Sequence, residues 1–508
     1  MKKLLAVLLC LVLTGCAIDE IDEVTQPGWE EYQQEAETGQ QEEVIYPAVF
    51  SLAYHKDHTL DPLTCGEGIQ QDVSSLLYEP LFCLNEQFEP EGILCESAQW
   101  DDSGLVCTLS IRTDVLFSDG TELKASDVAY TLQRAMTVQR YAYRLRMISQ
   151  VSYSNRSMTV TVTLTEKNTA FLSLLDISVV KKGTDGNLVP VGTGPYVFVS
   201  DEYGVRLMAN ESWWQQKQLP VSSISLVHAK DEETAIHLFS SGRVQLLTVD
   251  PTDGHGSISG GAVETERATS QMHFVGFNTT RGVFADAAAR RAFSAGIQRE
   301  VLVNAFLSDH AAAAQFPISP LYAFYPKEME EDFDQDTFLA AVAAAGYDAG
   351  EKRELTLLVN EEDSFRLDNA EYIAEKLSVL DWKITVRALP WTEYLVALDQ
   401  GDFDLYYAEV RLSADWDLRD LIGTDGSMNY GRFYDLRMDQ YLQELREADD
   451  RNAAVQRLCD YYREAVPVAP ICFRNYLVLT RTEVVEGIET APGATFAFLD
   501  RWTIHLAP

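Results

Sequence analysis

The chain has 508 residues, 46% of them hydrophobic, too long for one core and enough for two or three domains. Lys and Arg number 40 against 78 Asp and Glu, and the formal net charge of −38 argues against nucleic acid and against an anionic membrane surface as partners. The 8 Cys show no paired metal-ligand spacing, the 8 His are scattered singly, and no Ser or Cys stands in a nucleophile elbow, so no metal, no cofactor and no catalysis are expected.

In chain order, Lys2 and Lys3 precede an apolar run, Leu4 to Leu13. This run is far short of the roughly 20 residues that cross a bilayer, so residues 1–15 read as a secretory signal. Leu13-Thr14-Gly15-Cys16 resembles the bacterial lipobox, which implies cleavage before Cys16 and a diacylglycerol on its thiol. Cleavage would remove two Lys and no acid, leaving 38 − 78 = −40. Residues 17–43 hold ten Asp or Glu and no Lys or Arg, so 16–43 reads as a lipidated acidic tether that cannot bury enough surface to order. The expected location is extracytoplasmic, lipid-anchored to the bacterial cell membrane. Disulfides are allowed there: a pair among Cys65, Cys83, Cys95 and Cys107, and Cys459 with Cys472, are open, with no connectivity readable.

From Val44 the composition turns globular. Val44 to Ala53 reads as a strand, and a polar loop with His55 and His58 follows. Residues 76–82, LLYEPLF, read as a buried short helix or strand end. Turn signals at Trp100–Gly104 and Phe117–Gly120 flank a strand at Val106 to Ile111, and Ser126 offers an N-cap to a helix carrying Val128, Leu132 and Met136. Met158 to Leu164 alternates as a strand. The Gly-rich DPTDGHGSISGGA lacks the Gly-Lys-Ser/Thr ending of a phosphate loop and reads as a surface loop. Later, GDFDLYYAEVRLSADWDLRD (Gly401 to Asp420) runs from a turn into an apolar strand, Leu405 to Val410, and out into carboxylates beside Trp416. Such a strand end suits the wall of a cleft that holds a cation or an ammonium group.

LYEPLF and AQWDDSGLVCTLSIRTDVLFSDGTELKASDVAYTLQRAM look like the signature region of the extracellular solute-binding protein family 5, the dipeptide- and oligopeptide-binding receptors of ABC importers. Further matches recur in order. They are PVGTGPY at Pro190, NESWW at Asn210, FNT at Phe277 with FAD and the following helix, FLAAVAAAGY at Phe338, Trp391 to Asp404, and Tyr434 to Tyr441. Ser118, Gln298 and Gly282-Val283 depart from the family pattern at structural turns. The resemblance implies an α/β fold of the periplasmic-binding-protein-like kind (type II, cluster C), with two α/β lobes joined by a hinge plus an extra inserted domain. Domain I would comprise 44–77, 188–273 and 476–508, domain II 78–187 and domain III 274–475.

The same resemblance implies a monomeric receptor, not an enzyme, that captures small peptides by hinge closure and delivers them to ABC transporter permease subunits. A peptide shares its backbone and its ammonium with every other peptide, so a strand template and a buried carboxylate suffice to bind many sequences. By resemblance Asp415 pairs with the ligand's amino terminus, Arg411 and Ser413 take backbone positions, and Gly66 to Gly68 form the facing segment. Trp416 is either cleft wall or packing, and Arg411 or Arg366 could receive a ligand carboxylate or sit in a salt bridge. Asp415 or Asp417 could instead cap the helix DLRDLI. The alternatives are a nickel chelate, haem or sugar on the same scaffold, or a surface sensor lipoprotein without a transport role.

Overall fold

The computed structural model describes residues 46–253, 262–329 and 333–508, and these form one compact unit. The signal, Cys16 and the acidic tether lie outside the described residues, as does most of the Gly-rich loop.

An 11-stranded mixed sheet organises the fold. Across it the order is Trp382–Leu389, Arg353–Asn360, Leu405–Arg411, Ala262–Phe277, Val468–Arg481, Leu246–Val249, Ser51–Tyr54, Ser223–His228, Gly204–Ala209 and Tyr196–Asp201, with Ala311–Ala313 pairing beside Val468–Arg481. The two central strands, of 16 and 14 residues, are antiparallel and run through both halves of the sheet. Ala262 to Ala268 pairs with Arg481 to Asn475, and Met272 to Gly276 pairs with Phe473 to Val468. Between Ala268 and Met272 the register shifts, which bends the ladder where the halves meet.

The strand Leu405–Arg411 is apolar because both of its faces are covered. Leu405 and Tyr407 enter one core, with Phe277, Phe284, Phe293 and Trp382, while Tyr406 and Val410 enter another, with Phe274, Phe403 and Phe473. Gly276 lets the neighbouring strand approach the Tyr406 ring, which a Cβ there would strike. The helix Trp391–Gln400 ends on Gly401 at φ 68°, the left-handed cap that turns the chain into the strand.

A separate four-stranded antiparallel sheet, in the order Cys95–Trp100, Val106–Ile111, Thr159–Leu164, Ile148–Ser154, packs with the helix Ala125–Ala135 around a third core. A fourth core joins Phe50, Leu52 and Tyr54 to Val478, Phe496 and Trp502.

Local differences from the sequence reading have simple causes. Among the described residues the first strand is Ser51–Tyr54, which starts later than the expected 44–53 and pairs in parallel with Ser225 to His228. Ser126 lies inside its helix, and the end is closed instead by the Asp127 carboxylate accepting the Lys124 N–H at 3.0 Å. All six cysteines of the described chain carry free thiols, five of them buried.

Three of the quoted sequence stretches converge on one buried side chain. Glu79, from LYEPLF, accepts hydrogen bonds from Thr193 Oγ1, Trp213 Nε1, Trp214 Nε1 and Gln215 Nε2, at 2.8 to 2.9 Å. Burial still pushes its pKa up against those four donors.

Candidate functional site

A cavity of about 630 Å³ opens where the sheet halves and the four-stranded domain meet. That volume falls in the range of small-molecule sites. Its wall carries both signs of charge, with Arg140, Arg267 and Arg411 set against Glu67, Asp417 and Asp420. Part of the wall is backbone that has left the ladder with Val468–Arg481. Thr269, Ser270 and Gln271 occupy the register shift of the long strand and face the cavity.

The strand Leu405–Arg411 delivers the next wall segment. Leu412 N–H donates to Ser270 O at 3.0 Å and Ser270 Oγ donates to Leu412 O at 2.6 Å, so Arg411 to Ala414 follow the long strand into the cavity. Arg411 forms a two-armed pair with Glu67, at 2.8 and 3.0 Å, from the segment before the helix Ile69–Ser75. This pair joins the two sides of the cavity. The hydrogen bonds from Arg411 hold Glu67 below the usual carboxylate range against burial, and the charges of Arg411, Arg140 and Arg267 add to the effect.

Asp415 is 4% exposed and is not part of the cavity wall. Its Oδ1 accepts from Ser413 Oγ at 2.5 Å and its Oδ2 from Asn168 Nδ2 at 2.8 Å, while Arg451 Nη2 pins its carbonyl at 2.8 Å. Burial raises its pKa, the charge of Asp417 raises it further, and Ser413, Asn168 and Arg451 oppose. The carboxylate therefore sits one layer behind the wall formed by Ser413, Ala414 and Asp417.

Asn168 belongs to a turn that docks on this region. Glu166 meets Arg419 at 2.8 Å and also Arg446, Lys167 meets Asp449 at 2.9 Å, and Thr169 bonds the carbonyls of Arg446 and Ala448. Burial works to raise the Glu166 pKa, but the two arginines pull it down to about 2.

The other expected residues divide. Ser413, Arg411 and Gly68 line the cavity, whereas Gly66 does not, although Glu67 beside it does. Trp416 is no cleft wall: it is 0% exposed at φ 55°, its ring 5.2 Å from Phe88, 5.6 Å from Tyr322 and 5.9 Å from Phe473. Apolar packing on every side claims it. Arg366 lies away from the cavity because Asp363 at 2.9 Å and Glu409 at 2.7 Å take its guanidinium. Asp415 does not cap the helix Arg419–Ile422; Leu418 holds its N-cap position, but Asp417 Oδ1 accepts the first helical N–H, from Arg419 at 3.1 Å, and also pairs with the Arg419 side chain. Arg267, Gln271 and Arg140 were missed by the sequence reading, each a single polar residue in an unremarked stretch, and Glu67 lies inside the expected facing segment Gly66 to Gly68 without having been singled out.

Among the described residues no group of three or more His, Cys, Asp or Glu is placed to hold a metal ion, and no helix is long and apolar enough to cross a membrane. Residues 89–423, well over half of the chain, match the model of the bacterial extracellular solute-binding proteins, family 5. The chain belongs to family 5. It is thus an extracytoplasmic solute-binding receptor of an ABC importer, not an enzyme.

Among similar family 5 proteins is the oligopeptide-binding protein AppA of Bacillus subtilis (strain 168), 21% identical over 500 residues that cover 90% of this chain and 89% of that one. The structure of Bacillus subtilis AppA in complex with a nonapeptide superposes with a TM-score of 0.62 at 19% identity, covering 91% and 99% of the two chains. MppA, a periplasmic murein tripeptide binding protein in its unliganded open form, gives 0.76 at 20% identity over 91% and 98%. NikA from Staphylococcus aureus in complex with Ni(L-His)2 gives 0.63 at 16% identity over 90% and 100%. At these identities the structural likenesses speak to the shared fold.

Proposed function

We propose that this receptor captures short peptides in the 630 Å³ cavity and passes them to an ABC permease, with closure about the register shift of the two long strands. The observation that supports this reading is the cavity wall. It pairs the strand segments 269–271 and 411–414, suited to a peptide main chain, with side chains of both charge signs, suited to a zwitterion. The similarity to AppA points the same way. In this reading the ligand's ammonium enters at the acidic strand end, and Asp415 exchanges the Asn168 amide for it across Ser413. The division into domains I, II and III at the boundaries given above belongs to the proposal, as does anchoring through an acylated Cys16.

Mass spectrometry of whatever co-purifies with the native protein tests the cargo: short free-amino peptides are expected. A bound metal chelate would instead favour a second reading, supported by the likeness to NikA and by the cavity arginines, which suit a chelator's carboxylates equally. Cys16→Ser should release the protein from the membrane fraction. Retention of the variant there would remove the anchor from the proposal.

A further inference from the structure

One side of the cavity has an apolar wall assembled from three separate segments. A two-stranded hairpin, Phe82–Leu84 with Pro90–Gly92, supplies Leu84 and Phe88, the exit of the strand Leu405–Arg411 supplies Leu412 and Ala414, and the loop after the helix Arg419–Ile422 supplies Met428. All five line the cavity, and Leu84, Phe88 and Leu412 are buried in one core with Ala414 and Met428 packed against it. The hairpin turn is shaped to present this surface. Asn85 Oδ1 accepts the N–H groups of Gln87 at 3.0 Å and Glu89 at 2.9 Å, and Phe88 between them stands at φ 61°. A bulky side chain adopts that conformation only at a cost, and here it carries the Phe88 ring edge-on to within 5.2 Å of Trp416.

The charges nearest this wall are answered within the protein. Asp417 is paired with Arg419 at 2.5 Å, Asp420 with Arg146 at 2.6 Å, and Asp176 with Arg144 at 2.6 Å. Glu91, exposed on the second hairpin strand, takes Asn85 Nδ2 at 3.4 Å. A charged side chain pressed onto Leu84, Phe88 and Met428 would therefore leave water without meeting a counter-charge, which is strongly unfavourable. An apolar side chain in the same place is stabilised by all the surface it removes from water.

We infer that this wall is a side-chain subsite that selects an aliphatic or aromatic residue at one of the first two positions of a peptide. Leu412 and Ala414 flank Ser413, across which the ligand's ammonium is proposed to reach Asp415, so the side chains nearest the amino end fall against them. Met428, half-buried and unbranched, adapts to side chains of several shapes. Ala414, the smallest of the five, leaves the space that a large side chain needs. The inference rests on the peptide reading and adds to it the class of side chain that the receptor takes.

The test equilibrates the full protein with a tripeptide library randomised at all three positions and reads the retained sequences by mass spectrometry. Leu, Met and Phe should outnumber Asp, Glu and Lys by at least tenfold at one of the first two positions. In Ala414→Leu the large members, Phe and Met, should fall severalfold there, while Ala and Val are retained as by the parent. Because a larger residue at 414 could disturb the packing around Trp416, Met428→Glu is the second variant. It changes a half-buried side chain of the same wall and should replace the apolar preference by one for Lys. Equal retention of all side chains by the parent, or a preference for charged residues at both positions, overturns the subsite and leaves the peptide reading standing. An apolar preference that neither variant changes overturns its assignment to this wall. Retention of no peptide overturns the peptide reading and this inference together.

Discussion

Replacing Asp415 by Asn separates what this carboxylate does for the fold from what it does for a ligand. Its pKa is raised above the ordinary 3.8, chiefly by burial and then by Asp417. A raised value means that the folded chain holds the proton more tightly than the unfolded one. The ionised form therefore subtracts from stability, by about 1.4 kcal/mol per unit of displacement. The sign follows: the penalty is absent below pH 3.8, grows as pH rises toward the folded pKa, and is constant above it. Asn is nearly isosteric, keeps the acceptor for Asn168 Nδ2–H, and lets Ser413 accept where it now donates. Asp415→Asn should thus be at least as stable as the parent to urea at pH 7, with the advantage shrinking toward pH 4.

Binding should move the other way. An ammonium sealed against a neutral amide loses its charged partner, which costs about 2–5 kcal/mol, or about 30- to 4,000-fold in Kd. At 4% exposure the upper half of that range is expected. Titration calorimetry with a free-amino tripeptide and its N-acetylated form reads the effect, since the acetylated form should show no difference between parent and variant. Unchanged affinity for the free amine would refute the placement of the ligand's amino end at Asp415, and marked destabilisation would refute the electrostatic account.

Three further outcomes are expected. Glu409→Gln leaves Arg366 and Arg474 short of the carboxylate that each touches at 2.7 and 3.1 Å, so the urea midpoint should drop by the equivalent of about 3–5 kcal/mol. Gly276→Ala drives a Cβ into the Tyr406 ring and should cost about 1–3 kcal/mol in thermal unfolding, with Tyr406→Leu partly restoring it. Glu166 carries a depressed pKa of about 2, so its contribution to docking is full above the unfolded value of 4.5 and is lost as pH falls from there toward 2; Glu166→Gln should flatten that acid limb when unfolding is followed by circular dichroism.

The parts legible in the sequence were those where several residues answer to one backbone event. Turn chemistry and alternation placed Val106–Ile111 and Leu405–Arg411 closely, because both strands are bounded by Gly- or Asp-rich turns. The quoted stretches LYEPLF, PVGTGPY and NESWW were recognisable as a set, and the shared acceptor Glu79 shows why: each supplies part of one buried hydrogen-bond cluster. The cavity was less legible. Whether Asp415 faces the cavity or the layer behind it depends on Asn168, 247 positions earlier, which no local pattern announces. For Trp416, beside three acids, the sequence left cleft wall and packing equally open; its left-handed φ turns the indole inward onto Phe88 and Phe473. Arg267 became visible only through its buried pair with Asp72, 195 positions earlier.

The crossing strands also constrain the order in which the molecule can be assembled. Ser51–Tyr54 comes early in the chain, but the strand beside it, Leu246–Val249, is flanked on its other side by Val468–Arg481. The central sheet therefore stays incomplete until Val468–Arg481 has been made. Contacts this distant in sequence form slowly. Until that strand appears, the edges of Leu246–Val249 and Ala262–Phe277 that it covers stand open to other partners.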